Sequence, residues 1–181
     1  HGGLPATIAA VFDLLKVPPG ADETEILTQA CHDGAFDVPG LRDACRALSG
    51  GSGTDQERGA AVQSWLDAAE DRVARFRDYV RHFLTAEGAP RKTLLTKKPA
   101  TANPAALTAL IAEAERLCEA LDRVKSAGVA NSTAALLVLA EALIETYARL
   151  KEDRSRLDYD DLILAAQHLL TKPGVAPWVL F

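Results

Sequence analysis

The chain has 181 residues, of which 48% are hydrophobic, 25% charged and 6% aromatic, and its net charge is −5. This composition is that of a folded domain and excludes a disordered tail, a collagen-like repeat or a disulfide scaffold. The negative charge excludes a protein that binds nucleic acid over its whole surface, but it is compatible with a local basic patch.

The chain contains only three cysteines, Cys31, Cys45 and Cys118, without a CxxC motif or a paired histidine spacing. They are typical of small buried residues in a reducing compartment rather than of zinc ligands. We find no signal-peptide pattern and no apolar run that is long enough to span a bilayer. We therefore expect a cytoplasmic protein without a metal site or membrane contact. The complete lack of Met fits a piece of a longer chain.

Apolar residues recur with helical spacing along most of the chain, and no stretch alternates long enough to make a strand, so the predicted class is all-α. A first helix is predicted from Leu4 to Val17. Asp22 caps a second helix, which stops at Gly34, and a third helix runs from Val38 to Leu48.

A glycine-rich stretch, Gly50-Gly51-Ser52-Gly53-Thr54, separates the third helix from the next helical segment. A phosphate-binding loop needs GxxxxGK[ST] between a strand and a helix, and this stretch has neither the Lys nor the strand, so we predict a flexible linker. Two helices with a break near residues 69–71 are predicted between residues 54 and 85. Their aromatic residues should pack in the core, with Trp65 and Tyr79 keeping a polar tip near the surface.

Residues 86–102 interrupt the helical pattern and contain the stretch Arg91-Lys92-Thr93-Leu94-Leu95-Thr96-Lys97-Lys98. It carries four cations and no acid on an acidic chain. Cations neutralise phosphates, and threonine hydroxyls donate hydrogen bonds to them. The candidates for DNA contact are Arg91, Lys92, Thr93, Thr96, Lys97 and Lys98. The alternative is an ordinary solvated loop.

Asn103 and Pro104 predict the start of a long helix that runs to a break near Gly128. Another long helix is predicted from about Asn131 to about Asp153. The two should pack as a long antiparallel helical hairpin within a multi-helix bundle.

The last motif is Asp158-Tyr159-Asp160-Asp161-Leu162. Asp158 as N-cap and Asp161 at the third position predict a helix start, and the apolar stripe that follows predicts a core helix ended by Pro173-Gly174. Adjacent aspartates diverge on a helix and have no companion ligands nearby, so we interpret the motif as structural rather than as a metal site. Its structural residues are Asp158, Tyr159, Asp161 and Leu162.

No residue pattern in the chain identifies a catalytic site. No carboxylate pair or nucleophile stands in a recognisable arrangement. A small helical enzyme, the third interpretation, would need a deep pocket with converging polar groups, which a structure could show. His82 and His168 fall at predicted helix ends, where a histidine complements the helix dipole.

The acidic motif and the end of the chain carry a resemblance to a known family. Leu157-Asp158-Tyr159-Asp160-Asp161-Leu162, followed by Trp178-Val179-Leu180-Phe181, resembles the segment before the Walker B motif of UvrD/RecB-type superfamily 1 helicases. Further segments are similar to the alphaproteobacterial form of the AddA family, helicase-nuclease subunits that act in double-strand-break repair: Leu4-Pro5-Ala6-Thr7-Ile8, Asp33-Gly34-Ala35-Phe36-Asp37, Phe83-Leu84-Thr85, Pro90-Arg91-Lys92 and Pro173-Gly174-Val175-Ala176-Pro177-Trp178. The resemblance covers nearly the whole chain.

This resemblance implies an internal fragment, whose Walker A loop would precede residue 1 and whose Walker B acids would follow residue 181. Residues 1–155 would form the helical domain 1B, and residues 156–181 would lead back to the first RecA-like motor domain. The fragment would engage DNA without a catalytic site or cofactor. The parent would be a 3′-to-5′ helicase and nuclease that uses ATP and magnesium beside an AddB-like subunit. The alternative is a free-standing helical module that binds protein.

Overall fold

Eight α-helices make up most of residues 3–172, the part of the chain that the computed structural model describes. They are α1 (Gly3–Leu15), α2 (Glu23–Cys31), α3 (Val38–Ser49), α4 (Gly53–Asp67), α5 (Phe76–Val80), α6 (Lys97–Ala102), α7 (Pro104–Asp153) and α8 (Tyr159–Thr171). Short 3₁₀ turns lie at Asp33–Ala35 and Ala69–Asp71. Residues 3–172 contain no strand, and their one isolated bridge pairs Leu84 with Pro90. The predicted all-α class is confirmed.

The chain divides into two compact units, His1–Ala134 and Ala135–Phe181. The division falls inside α7, whereas the resemblance to helicases predicts a boundary after residue 155. The first unit contains α1 to α6 and the N-terminal part of α7. The second unit contains the rest of α7 together with α8.

The first unit is organised around a core to which α2 to α5 and α7 contribute. Its most deeply buried large side chains include Trp65, Phe76, Phe83, Leu41 and Leu48. A smaller cluster packs Phe12 of α1 against Ala127 and Ala130 of α7. The predicted burial of the aromatic residues is therefore confirmed.

The prediction that Trp65 and Tyr79 keep a polar tip near the surface is wrong, because the two residues are only 2% and 3% exposed. Their rings stack on each other with centroids 3.9 Å apart. The Trp65 Nε1 donates to the carbonyl oxygen of Arg72 at 3.2 Å, and the Tyr79 hydroxyl donates to Glu113 Oε1 at 2.9 Å. Internal partners remove most of the cost of burying these polar atoms.

Residues 50–54 are not the flexible linker that the glycine spacing predicts. Gly50 is the C-cap of α3, and Ser52 is the N-cap of α4. The Asp55 amide donates to the Ser52 hydroxyl at 3.3 Å, and the Ser52 amide donates to the Asp55 carboxylate at 3.0 Å. This capping box satisfies two amides that the start of a helix otherwise leaves without partners.

The helical pattern of residues 54–85 is also broken more strongly than predicted. The break at Ala69–Asp71 is confirmed, but the second helix, α5, covers only Phe76–Val80. Turns on both sides of α5 bring the residues that follow it back towards α4.

The predicted break near Gly128, and with it the antiparallel hairpin on either side of that residue, is wrong because α7 is one helix of 50 residues. A glycine inside a helix costs only about 1 kcal/mol. Ala127 and Ala130, which are 1% and 0% exposed, offset that cost by packing in the smaller cluster. Asn131, where a new helix is predicted to begin, lies inside α7 and donates its side-chain amide to the carbonyl oxygen of Ala21 at 2.9 Å.

In the second unit, the predicted start of α8 is confirmed in detail. The Asp161 amide donates to Asp158 Oδ1, and the Asp158 amide donates to Asp161 Oδ2, both at 2.9 Å. Lys151, near the end of α7, places its Nζ 3.0 Å from Asp158 Oδ2 and 2.6 Å from Asp161 Oδ1. The lysine therefore closes the turn between the two helices by pairing with both carboxylates.

The predicted core role of α8 is wrong, because none of its residues is buried. Its apolar stripe exists, with Leu162 and Leu169 each 52% exposed, but none of the described residues covers it. The predicted stop at Pro173-Gly174 lies outside the described residues.

The prediction that no apolar run is long enough to span a bilayer is also wrong on length and composition. An 18-residue window of α7 reaches a mean hydropathy of 1.7 with 11% of its residues buried. A single helix of this kind does not distinguish a membrane span from the core helix of a protein that never meets a membrane.

Candidate nucleic-acid interface

The basic stretch Arg91–Lys98 begins at a tight turn that is fixed by backbone hydrogen bonds. The Thr85 amide donates to the carbonyl oxygen of Ala89, and the Arg91 amide donates to that of Phe83, both at 2.8 Å. Gly88 completes the turn at a φ of +84°, which a side chain would disfavour. The position at which the basic stretch begins is therefore fixed by the backbone.

The middle of the stretch is anchored by two apolar side chains. Leu94 and Leu95 are each 4% exposed and belong to the main core. The residues on either side of them stay at the surface, so burial of the leucines turns the flanking cations outward.

Arg58 of α4 anchors the basic stretch through hydrogen bonds to backbone carbonyl oxygens. Its Nε donates to the carbonyl oxygen of His82 at 2.9 Å, and its Nη1 donates to that of Leu94. Arg58 is only 6% exposed, and its guanidinium lies 3.9 Å from the Asp55 carboxylate. One buried side chain thereby joins the two segments that flank the turn.

Asp55 is the second side chain that anchors the stretch, and its partner is Thr96, one of the residues predicted to contact DNA. The Thr96 hydroxyl donates to Asp55 Oδ2, and the Thr96 amide donates to the same oxygen at 3.4 Å. Burial would raise the pKa of Asp55, but hydrogen bonds from Thr96 and Ser52 hold it below its ordinary value. A Cβ at Gly51 would lie 2.3 Å from this carboxylate, so glycine gives it room. The hydroxyl of Thr96 is thus committed to the fold.

The other five candidates, Arg91, Lys92, Thr93, Lys97 and Lys98, are all exposed. No carboxylate among residues 3–172 lies within 4 Å of any of the four cations. Arg91 directs its Nε to the carbonyl oxygen of Arg81 at 3.1 Å, which orients its guanidinium. Lys97 and Lys98 occupy the first turn of α6, where cations do not stabilise the helix. The sequence prediction therefore corresponds to four exposed cations on both sides of the buried leucines, which we call the basic cluster: Arg91, Lys92, Lys97 and Lys98.

His82 contributes no charge of its own to this cluster at neutral pH. Burial lowers its pKa below the ordinary value, and the nearby positive charges of Arg58 and Arg91 lower it further. Its predicted role as a cation at a helix end therefore does not hold.

A second concentration of charged residues lies inside the first unit. Glu113, 3% exposed, accepts hydrogen bonds from Tyr79 and from both Nε and Nη2 of Arg116, at 2.7 to 2.9 Å. Burial acts to lower the pKa of Arg116, but the hydrogen bonds and charge of Glu113 raise it above its ordinary value. Arg116 also donates to the carbonyl oxygen of Ala30 at 2.7 Å. These groups satisfy one another and tie α7 to α2 and α5.

The cysteines and acidic residues offer no comparable surface site. Burial raises the pKa of the Cys45 thiol to about 11 and also raises that of Cys31, so both thiols stay protonated. Within residues 3–172, no three His, Cys, Asp or Glu side chains are grouped to hold a metal ion. Asp158 and Asp161 are instead occupied by Lys151 and by each other.

Sequence reasoning misses the two anchors of the basic stretch. Arg58 and Asp55 lie 36 and 41 residues before their partners Leu94 and Thr96, so no local spacing connects them. The one available signal is Ser52 followed three residues later by an acid, which is typical of a capping box and predicts an ordered Asp55.

Comparisons of the chain with protein-family models, with curated proteins and with solved structures gave no match.

Proposed function

We propose that this chain is an accessory helical domain that engages DNA within an ATP-dependent 3′-to-5′ helicase and exonuclease of the UvrD/RecB type, acting in double-strand-break repair. The observation that carries the proposal is the basic cluster of Arg91, Lys92, Lys97 and Lys98. These cations are exposed and have no carboxylate within 4 Å among residues 3–172, and the buried Arg58 and Asp55 anchor the stretch that carries them. ATP, magnesium, an AddB-like subunit and a cytoplasmic location belong to the proposed parent.

The chemistry of the cluster suits a phosphate backbone. Four cations without acidic partners attract a polyanion and release its condensed counterions when they bind it. Contacts of this kind position a strand without reading its bases, which is what an accessory domain of a translocating enzyme needs. Because Leu94, Leu95 and Arg58 fix the loop, less conformational entropy is lost when the cations meet phosphates.

The second unit gives separate support for a larger parent. Its exposed large apolar residues are between 45% and 86% exposed. They are Leu136, Val138, Leu139, Leu143, Ile144, Tyr147, Leu150, Leu157, Tyr159, Leu162, Ile163, Leu164, Leu169 and Leu170. Apolar surface on this scale marks an interaction site. We propose that the motor domain of the same polypeptide covers it.

The test is a charge-removal variant of the chain. The variant carries Arg91→Ala, Lys92→Ala, Lys97→Ala and Lys98→Ala. We expect its affinity for a labelled single-stranded oligothymidine, measured by fluorescence anisotropy, to fall by more than about tenfold at low salt. The slope of log K against log salt should flatten by roughly 0.7 for each phosphate that the variant no longer neutralises.

A matched control removes the same charge elsewhere, at four exposed arginines: Arg123, Arg149, Arg154 and Arg156. The control should bind like the unaltered chain, and circular dichroism should show both variants folded. Equal affinities and equal salt slopes for the loop variant and the control would exclude the loop as a DNA contact.

A free-standing helical module that binds another protein is the second candidate, and the exposed apolar surface of the second unit favours it. The two candidates differ in the coding sequence around the chain. A Gly-Lys-Thr loop encoded upstream and an Asp-Glu pair soon after Phe181 would support the helicase proposal. An open reading frame confined to these residues would favour the module.

A further inference from the structure

The basic stretch borders a groove between α3 and α6 that no sequence signal indicates. The groove has a volume of about 720 Å³ and is open to solvent. Arg46 of α3 and Lys98 of α6 line it, Pro99 and Ala102 of α6 add apolar lining, and Asp43 is its only acidic residue. Two cations from different helices therefore face the same space.

Arg46 is available to a ligand although it has an ion-pair partner. It is paired with Asp43 one turn earlier on the same helix, and the side chains of the two residues are 78% and 57% exposed. Exposed pairs of this kind contribute little free energy. A phosphate can replace or share the carboxylate, because the planar guanidinium donates several hydrogen bonds in a fork.

Lys98 connects the groove to the loop. It is exposed, it follows Lys97 directly, and no carboxylate within residues 3–172 lies within 4 Å of its Nζ. A strand that is bound at Lys97 would therefore lie next to a groove that Lys98 lines.

We propose that this groove binds a phosphate group of a nucleic-acid strand through Arg46 and Lys98, so that the DNA path continues from the basic loop onto α3. The inference rests on the proposed function and deepens it by adding Arg46, a residue that lies far before the loop in sequence. The chemistry recognised is a phosphodiester in an extended backbone.

The first test is Arg46→Ala in the full chain, with a labelled oligothymidine of roughly 20 nucleotides as the probe. We expect its affinity to fall by about five- to tenfold at low salt and its salt slope to flatten by about 0.7. Arg77→Ala is the matched control, because Arg77 is 80% exposed and paired with Glu23 but lines neither the loop nor the groove. The control should change neither quantity.

The second test separates a direct contact from a general effect of charge. Asp43→Asn frees Arg46 and should raise affinity by about two- to threefold in the unaltered chain. The same change made together with Arg46→Ala should raise affinity less, because the freed guanidinium is then missing. An equal gain in both backgrounds would show that Arg46 acts only at long range, which would overturn the inference.

A third measurement separates a strand from a free anion. Inorganic phosphate is titrated while the Arg46 Nε–H signal is followed by NMR, and the oligothymidine is titrated in the same way. We expect the signal to saturate with the oligothymidine at far lower concentration. Saturation by both at similar concentration would make the groove a simple anion site and would contradict a strand path.

These outcomes are distinct from failure of the proposed function. If Arg46→Ala binds like Arg77→Ala while the four-residue loop variant loses binding, the groove is excluded and the proposed function stands. If the unaltered chain does not bind the oligothymidine, both proposals fail.

Discussion

The two parts of α7 use the same residue types at the same helical spacing and meet opposite surroundings. In the first unit, Leu110 and Leu117 are fully buried. In the second unit, Leu136 and Leu143 are 64% and 67% exposed on the same helix. Periodicity therefore predicts the helix and its apolar stripe, but it does not predict whether the described chain itself covers that stripe.

The largest expected effect tests this contrast directly, by truncating one leucine from each part. Leu117→Ala should lower the free energy of unfolding by about 2–5 kcal/mol, because it opens a cavity in a packed core. Leu143→Ala should change it by no more than about 0.5 kcal/mol, because the side chain is already in water. Urea denaturation followed by circular dichroism measures both values.

A large loss of stability from Leu143→Ala would show that its surface is buried in solution, for example by self-association. Sedimentation velocity of the unaltered chain would then reveal that association. Equal effects at the two leucines would remove the contrast between the two parts of α7.

A smaller effect on the free energy of unfolding is expected when a buried and an exposed polar group are compared instead of two leucines. Tyr79→Phe removes a buried hydroxyl that donates to Glu113 at 2.9 Å and should cost about 1–2 kcal/mol. Tyr147→Phe is the matched control, because its hydroxyl makes a 3.3 Å bond to Asp158 and the residue is 54% exposed. The control should lie within about 0.5 kcal/mol of the unaltered chain, and thermal unfolding of both variants measures the difference.

If the two tyrosine variants lose the same stability, the hydroxyl of Tyr79 is not satisfied inside the first unit as described. Arg116 donates two hydrogen bonds to Glu113 in either case, so the difference between the variants reports the hydroxyl alone.

The smallest expected effect is the loss of the α8 cap at low pH, and it is confined to the second unit. Hydrogen bonding from the Asp161 amide and from Lys151 lowers the pKa of Asp158 from 3.8 to about 2. A lowered pKa means that the cap stabilises α8 fully above about pH 4 and loses its effect as the pH falls towards 2. The carboxyl ¹³C shift of Asp158 should titrate with that low midpoint.

Lys151→Ala should move the Asp158 midpoint upward, because it removes one of the groups that hold the carboxylate charged. Lys125→Ala, which breaks an exposed pair with Asp122, should leave the midpoint unchanged. A midpoint near 4 in the unaltered chain would show that the lysine does not close the turn in solution.

Much of the fold follows from local sequence signals. The caps at Asp22, Asn103 and Asp158 are predicted correctly, because each depends on residues three positions apart. The errors at Gly128 and Tyr79 share one physical cause, since both depend on groups distant in sequence. Packing of Ala130 and the bond from Asn131 to Ala21 override a weak helix breaker, and Glu113 supplies a partner that local spacing cannot reveal.

In the candidate interface, too, some features follow from local sequence and others depend on tertiary contacts. The charges of Arg91 to Lys98 can be read from the sequence, because they depend only on composition within eight residues. The commitment of Thr96 to Asp55, and the position of Arg46 beside Lys98, depend on how α3, α4 and α6 pack. Such tertiary contacts carry no signature in a single sequence.

Arg58 donates hydrogen bonds to the carbonyl oxygen of Leu94 in the basic stretch and to that of His82 before the turn. Every amino acid supplies that oxygen, so the hydrogen bonds of Arg58 do not depend on side chains of the stretch, whereas the bond to Asp55 requires the hydroxyl of Thr96. The side chains of Lys92, Lys97 and Lys98 are exposed and make none of these anchoring contacts, so we expect their exchange to leave the shape of the stretch unchanged. The groups that fold the stretch are therefore largely distinct from the cations that it exposes to solvent.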